Sequence, residues 1–216
     1  VKKDYFCRAC MKKILIITYY WPPAGGPGVQ RWLHFVRYLP KFGIQPLVLV
    51  PENPYYPIQD PTLVNEVPAG VEIIKIPTRE PYKWAKILSK NQTQKMSSGI
   101  LPDKKPGFLE KSLLFVRGNL FIPDARVGWV RPVTHFLQKY LTENQIDTLI
   151  TTGPPHSLHL VGQSLKKKLK IRWIADFRDP WAAIGYHQKL MLTPWAQKQH
   201  HMLEAKVLQQ ADEIVV

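Results

Sequence analysis

The stretch Ile14-Leu15-Ile16-Ile17, followed by Tyr19-Tyr20-Trp21-Pro22-Pro23-Ala24-Gly25-Gly26-Pro27-Gly28, decides the fold. Four consecutive aliphatic residues mark a strand covered on both faces, as in a parallel sheet. The loop after it holds three glycines and three prolines between Tyr19 and Gly28. Beyond the loop, Val29, Trp32, Leu33, Val36 and Leu39 recur at helical spacing. The helix is expected to stop at Lys41-Phe42-Gly43, where glycine suits the left-handed position after a helix end. Leu47–Val50 reads as a second buried strand and Val71–Ile76 as a third. A β-α-β start of this kind predicts a right-handed crossover and an α/β fold, with a doubly wound, mainly parallel, Rossmann-like sheet.

The rhythm breaks in the middle of the chain. Residues 81–120 carry eight Lys/Arg against Asp103 and Glu110, a local excess of +6. Two short helices are expected there, Tyr82–Leu88 and Phe108–Leu120, within a basic helical insertion spanning about residues 80–128. Regular alternation then returns: a helix over Val130–Leu141, a strand over Asp147–Thr151, and a helix striped by Leu158, Val161, Leu165 and Leu169. A strand at Arg172–Ala175, a helix over Pro194–Gln210 and a strand from Glu213 complete the pattern. The sequence stops inside that apolar strand, so a longer parent chain is expected.

Composition narrows the class. An apolar content of 45% supports a packed core rather than general disorder. A formal charge of +14 favours anionic partners: nucleic acid, phosphorylated small molecules or an anionic membrane surface. The two cysteines, Cys7 and Cys10, exclude a disulfide scaffold and fit a reducing compartment. Two ligands do not close a tetrahedral zinc site, so no zinc site is expected at this pair. Residues 1–10 precede Met11-Lys12-Lys13 and read as an extension outside the fold. No apolar run reaches the length of about 18 residues that spans a bilayer. Lys12-Lys13 before Ile14–Trp21 imitates a signal peptide, but the run is short, β-branched and closed by Pro22-Pro23, so a buried strand explains it better.

Three loops are expected to gather at the carboxyl edge of the sheet, where ligands of open parallel sheets bind. The first contains Gly25, Gly26 and Gly28 ahead of a helix N-terminus, an arrangement suited to phosphate or to a plain tight turn. It is not G-x-G-x-x-G, and no clear ribose ligand follows the second strand, Glu52 after Pro51 being the nearest. The second is Thr151-Thr152-Gly153-Pro154-Pro155-His156-Ser157. His156 there is either a structural hydrogen-bonder or a catalyst kept neutral by the helix dipole. The third is Asp176-Phe177-Arg178-Asp179-Pro180-Trp181, either an ion-pair network fixing the loop or a carbohydrate site. In the second case carboxylates take hydroxyls, arginine takes phosphate and tryptophan stacks on a sugar face. Asp124 and Arg126, late in the insertion, are weaker candidates for the same edge.

Together, Y-Y-W-P-P-x-G-G, T-G-P-P-H-S and D-F-R-D-P-W resemble the N-terminal domain of family 4 glycosyltransferases over about residues 11–216. G-N-L-F-I-P-D-A-R resembles a subset of bacterial cell-envelope enzymes of that kind. The resemblance implies one half of a GT-B fold, the acceptor side, with a C-terminal donor domain absent from this chain. It implies hexosyl-type transfer from a nucleotide-sugar to a lipid-linked or saccharide acceptor, in cell-envelope polysaccharide synthesis. The expected stereochemistry is retention, and no metal or other cofactor is needed. By the same resemblance Gly25, Gly26 and Gly28 face the donor diphosphate, and His156 and Asp179 lie at the reacting centre. Asp176, Arg178, Trp181, Asp124 and Arg126 then belong to the acceptor region. It further implies a cytoplasmic enzyme, peripheral on the inner face of the plasma membrane, and predicts that this half alone does not turn over.

In that setting the basic insertion, with Phe108, Leu113, Leu114 and Phe115, is the expected membrane or lipid-acceptor contact. The main rival is a nucleotide- or dinucleotide-binding Rossmann domain of an oxidoreductase or epimerase, which lacks its fingerprint here. A nucleic-acid module rests on charge alone, without a recognisable motif, and nucleic acid is not an expected partner.

Overall fold

The computed structural model describes residues 11–78 and 108–216. The extension at 1–10 and the expected helix over 82–88 lie outside the described residues. Six strands form one sheet: β1 Lys12–Ile17, β2 Ile44–Pro51, β3 Glu72–Ile76, β4 Thr148–Gly153, β5 Arg172–Phe177 and β6 Glu213–Val215. Their order is β3-β2-β1-β4-β5-β6, and every pairing is parallel. The sheet is therefore doubly wound and Rossmann-like, and its order reverses between β1 and β4.

Among the described residues five α-helices accompany it: α1 Pro27–Tyr38, α2 Phe108–Leu120, α3 Val127–Glu143, α4 Ser157–Lys166 and α5 Pro194–Gln210. The aliphatic run predicted as a strand is buried throughout, from Ile14 to Ile17. The α1 stripe of Val29, Trp32, Leu33 and Val36 packs into the same core. Gly43 adopts φ 72° after a 3-10 turn, the left-handed stop expected there.

Three boundaries moved, each for a physical reason. Helix α3 starts a turn earlier than Val130, placing Pro132 inside it. The carbonyl left without a donor belongs to Gly128, which is exposed to water. Strand β4 runs on to Gly153, and β5 runs on to Phe177. Thr152 pairs with Asp176 and Gly153 with Phe177 in that extended register. The start of the third loop is thus sheet, and that carries two of its residues indoors.

Gly162 on α4 sits directly against Trp173 of β5, where an added Cβ would fall on the indole. The indole is fully buried and its Nε1 donates to Thr151 Oγ1 at 2.9 Å. Gly162→Ala is therefore expected to destabilise the fold by about 2–3 kcal/mol through overpacking, measured by urea unfolding.

Candidate functional site

The carboxyl ends of β1, β4 and β5 converge at the strand-order switch, and every described candidate residue lies around them. The loop after β1 turns through Gly26, whose φ of +105° demands glycine. Helix α1 then begins with Pro27 in its first turn, no side-chain cap and no acidic residue. Its positive end is open.

Arg178 approaches that end. Its guanidinium lies against Gly28, where an added Cβ would collide with it. Nε donates to Gly153 O at 3.3 Å and Nη2 to Pro154 O, so the side chain bridges the β4–α4 turn and the start of α1. Burial holds its pKa below the ordinary value, while Asp176, Asp179 and Tyr20 oppose that shift and Arg31 adds to it. The group remains a cation. Arg31, on the first turns of α1, is a second cation nearby and two-thirds buried. A helix N-terminus and two guanidiniums thus share one spot at the switch point, an arrangement suited to a phosphate-bearing ligand.

The glycine loop is consequently narrower than its sequence suggests. Gly25 N–H donates to Ile58 O at 3.1 Å, and the space above its Cα is filled by Ile58 and Asp60. A bridge between Ala24 and Gln59 closes the loop from that side. Gly25 is a turn residue with its donor occupied; Gly26 and Gly28 remain at the open end.

The D-F-R-D-P-W segment divides. Asp176 is 1% exposed and accepts from Arg31 Nη2 at 2.8 Å, Trp32 Nε1 at 3.0 Å and Thr152 Oγ1 at 2.7 Å. The expected contact with an acceptor gives way to a structural anchor, because β5 continues through this residue. Trp181 is also fully buried: its ring stacks on His156 at 5.1 Å and 6°, and its Nε1 donates to His200 Nδ1 at 3.1 Å. No face is left for a sugar. Asp179 alone of the two carboxylates is exposed, in the loop past β5.

The insertion residues do reach this edge, in unexpected roles. Asp124 accepts from Ser157 N at 2.8 Å and Ser157 Oγ at 2.9 Å, supplying the cap that α4 lacks from its own N-cap residue, His156. Arg126 is buried with its guanidinium 4.8 Å over the Tyr19 ring. Asp124 and Arg126 thus serve the helix start and the loop after β1.

His156 is the least ordinary group in the site. It is 3% exposed, and neither ring nitrogen meets a hydrogen-bond partner among the described residues. Burial pushes its pKa down to about 4, opposed mainly by Asp124 and reinforced by His187, Arg178 and His200. The ring is therefore neutral near neutral pH. Gly153 makes room for it, since an added Cβ would stand 2.9 Å from His156 Nδ1 and 2.6 Å from His159 Nε2. His159, fully buried and stacked on Phe177 at 4.4 Å, pairs its Nδ1 with Thr151 Oγ1 at 2.9 Å.

Sequence reasoning did not single out Arg31, His159 or His200. Arg31 follows Gly28 by three residues and His159 follows His156 by three, so helical spacing carried a signal for both. His200 comes from α5, and no local pattern announces it. Among the described residues no group of three or more His, Cys, Asp or Glu could hold a metal ion.

No family model matches the chain, and no curated protein matches it. Among solved structures it is similar to MurG of Acinetobacter baumannii, at 12% identity and a TM-score of 0.46 over 94% of this chain and 40% of that one. It is also similar to UGT2 of Phytolacca americana in its apo form, at 15% identity and a TM-score of 0.45 over 94% of this chain and 45% of that one. The chain spans less than half the length of each.

The buried histidine makes stability depend on pH. Its folded pKa of about 4 lies below the unfolded value of 6.5, so in that window the unfolded chain binds a proton that the folded chain refuses. Stability is expected to fall as pH drops from 6.5 to 4, by about 3 kcal/mol from this residue. Urea unfolding across that range should show the loss, and His156→Gln should remove about that share of it, leaving the part that His159 and His200 contribute.

Proposed function

We propose that this chain is the acceptor-side half of a GT-B glycosyltransferase, which transfers a sugar from a nucleotide-sugar to a saccharide or lipid-linked acceptor. The supporting observation is Arg178, lodged against Gly28 at the uncapped start of α1. A cation held at a positive dipole end favours negative charge beyond that of Asp176 and Asp179, and a diphosphate supplies it. In sugar transfer the diphosphate is the leaving group, so donors fixed there stabilise charge that grows as the sugar–oxygen bond breaks.

In this reading Gly26 lets the phosphates approach, Gly28 makes room for the Arg178 guanidinium, and Arg178, steadied by Gly153 O and Pro154 O, meets them. His156, neutral and with two unengaged nitrogens, is buried against Trp181, so in this reading it reaches the transferred sugar's hydroxyls only when the surrounding loops part to admit the ligand. Asp179, exposed beside Arg178, accepts from the incoming acceptor. Asp176 acts at one remove by holding Arg31 in place. Retention of configuration and a cell-envelope acceptor belong to the same proposal and rest on the sequence motifs. A dinucleotide-binding reading gains nothing from the geometry, because the Ala24–Gln59 bridge lies across the glycine loop on the β2 side.

Two experiments test this reading. Titration of the chain with inorganic pyrophosphate is expected to give saturable binding that Arg178→Gln weakens roughly tenfold to a hundredfold. Gly28→Ala, which displaces the guanidinium, should weaken it comparably; undiminished binding in both variants would refute the diphosphate assignment. In the two-domain enzyme, His156→Ala and Asp179→Asn should each lower sugar transfer by about a hundredfold or more with the fold retained. Full activity in both would remove them from the reacting centre.

A further inference from the structure

Of the insertion residues expected at a membrane or lipid acceptor, Leu114 is buried against Leu190, and the side chain of Phe108 lies outside the described ones. Positive charge without a partner gathers elsewhere, on the outer side of the helix pair α3 and α4. Between these helices runs a groove of about 860 Å³. Its lining extends from Val130 to Gln138 on α3, about 12 Å of helix, and faces Ser164, Lys167 and Lys168 at the end of α4. No residue of the carboxyl-edge site lines it.

The walls carry charge of one sign. Arg131, Lys167 and Lys168 are exposed there, with the His135 imidazole one turn along from Arg131. None of these four has an ion-pair partner among the described residues. No Asp or Glu occurs between Val127 and Thr142 or between Thr148 and Ala175. Helix α4 therefore holds no carboxylate, and α3 none before its last residue, Glu143, which pairs with Lys139. Lysines near a helix end ordinarily answer its negative dipole end. Here Lys166 already stands in the last turn of α4, fixed by Ile171 O at 2.9 Å and Asp212 at 2.6 Å. Lys167 and Lys168 are surplus to that task.

The floor is polar as well. Thr134 is 6% exposed, and its Oγ1 meets no hydrogen-bond partner among the described residues. A buried hydroxyl of this kind calls for a partner, and helical threonine has two χ1 wells through which it turns to one. Gln138 and Ser164 add an amide and a hydroxyl to the walls. No Phe, Tyr or Trp lines the groove, so nucleobases find no stacking platform. The cations belong to both helices, Arg131 near the start of α3 and Lys168 beyond the end of α4. Charge is thus spread along the groove rather than focused on one anion.

We propose that the α3–α4 groove binds an acidic oligosaccharide, a chain whose carboxylates recur along its length. Arg131, Lys167 and Lys168 pair with the carboxylates. Thr134, Gln138 and Ser164 exchange hydrogen bonds with sugar hydroxyls, which both donate and accept. A neutral glycan would leave the cations unanswered, and an acidic peptide would offer the neutral polar groups fewer partners. The inference is independent of the sugar-transfer reading, since the groove lies apart from the carboxyl edge and its tests use no activity.

Calorimetric titration of the chain with the hexamer of galacturonic acid tests it. Saturable binding is expected, and the fully methyl-esterified hexamer, with the same hydroxyls and no charge, should not bind. Arg131→Gln and Lys168→Gln should each weaken binding about threefold, and together about tenfold. Thr134→Val removes a hydroxyl that bonds nothing in the free chain; it should weaken binding about threefold without lowering the urea midpoint. Lys41→Gln, the loss of an exposed cation beyond α1 on the opposite face of the sheet, should change nothing. Hexamers of glutamic acid and of RNA should bind more weakly than the galacturonate. Equal binding of the ester, wild-type affinity in the double charge variant, an equal loss in Lys41→Gln, or tighter binding of the glutamate or RNA hexamer would each overturn the proposal.

Discussion

A carboxylate removed from water must be matched by donors, and the arrangement of this molecule's ligand edge follows from how Asp176 is matched. It draws one donor from β4 through Thr152 and two from α1 through Arg31 and Trp32. Those elements lie on either side of the strand-order reversal, and among the described residues no backbone hydrogen bond joins α1 to β4 or β5. The buried carboxylate supplies that tie, and its removal would leave a guanidinium and an indole N–H uncompensated. The separation of α1 from β5, and hence the place where Arg178 meets Gly28, depends on it.

Two helices start at this edge, and the structure treats them oppositely. Helix α4 receives a carboxylate from outside itself, Asp124, which closes its first turn. Helix α1 receives a guanidinium instead, and three residues later presents another. The same backbone electrostatics apply to both ends, so the difference lies in what the surrounding chain brings to them. One end is completed by the protein, and the other is left complementary to an anion. The two helix starts thereby define which crevice is charged and which is neutral, with His156 on the neutral side.

The histidine side is built from aromatic stacking more than from hydrogen bonds. His156 lies flat on Trp181, His159 on Phe177, and His200 receives the Trp181 N–H. Burial lowers the pKa of His156, His159 and His200, so the cluster packs as neutral rings. Glu204 of α5 accepts from the backbone N–H groups of Trp181 and Ala182, each at 3.2 Å, fixing the loop that carries them. Asn119 Oδ1 accepts from Thr193 N and Thr193 Oγ1, both at 2.8 Å, and so fixes the start of α5. Together these contacts position the helix that supports the histidine cluster.

The sequence by itself determined the described strands, the described α-helices and the parallel class. Aliphatic runs such as Ile14–Ile17 and the α1 stripe are local signals, legible because burial repeats with the period of the element. It also marked the three loops, since Gly26 and the proline-rich turns have conformational demands that residue type reveals. What each loop residue does was decided only by tertiary structure. Asp176 and Trp181 looked like ligands because carboxylates and tryptophans serve ligands, yet a strand two residues longer than its apolar run took the first inside. Packing against α5 took the second. Arg178 became part of the glycine loop because α1 and β5 meet in space, 150 residues apart in the chain. Burial and the pairing of charges are sums over distant segments, so residue type proposes a chemistry and only the packed fold assigns it a place.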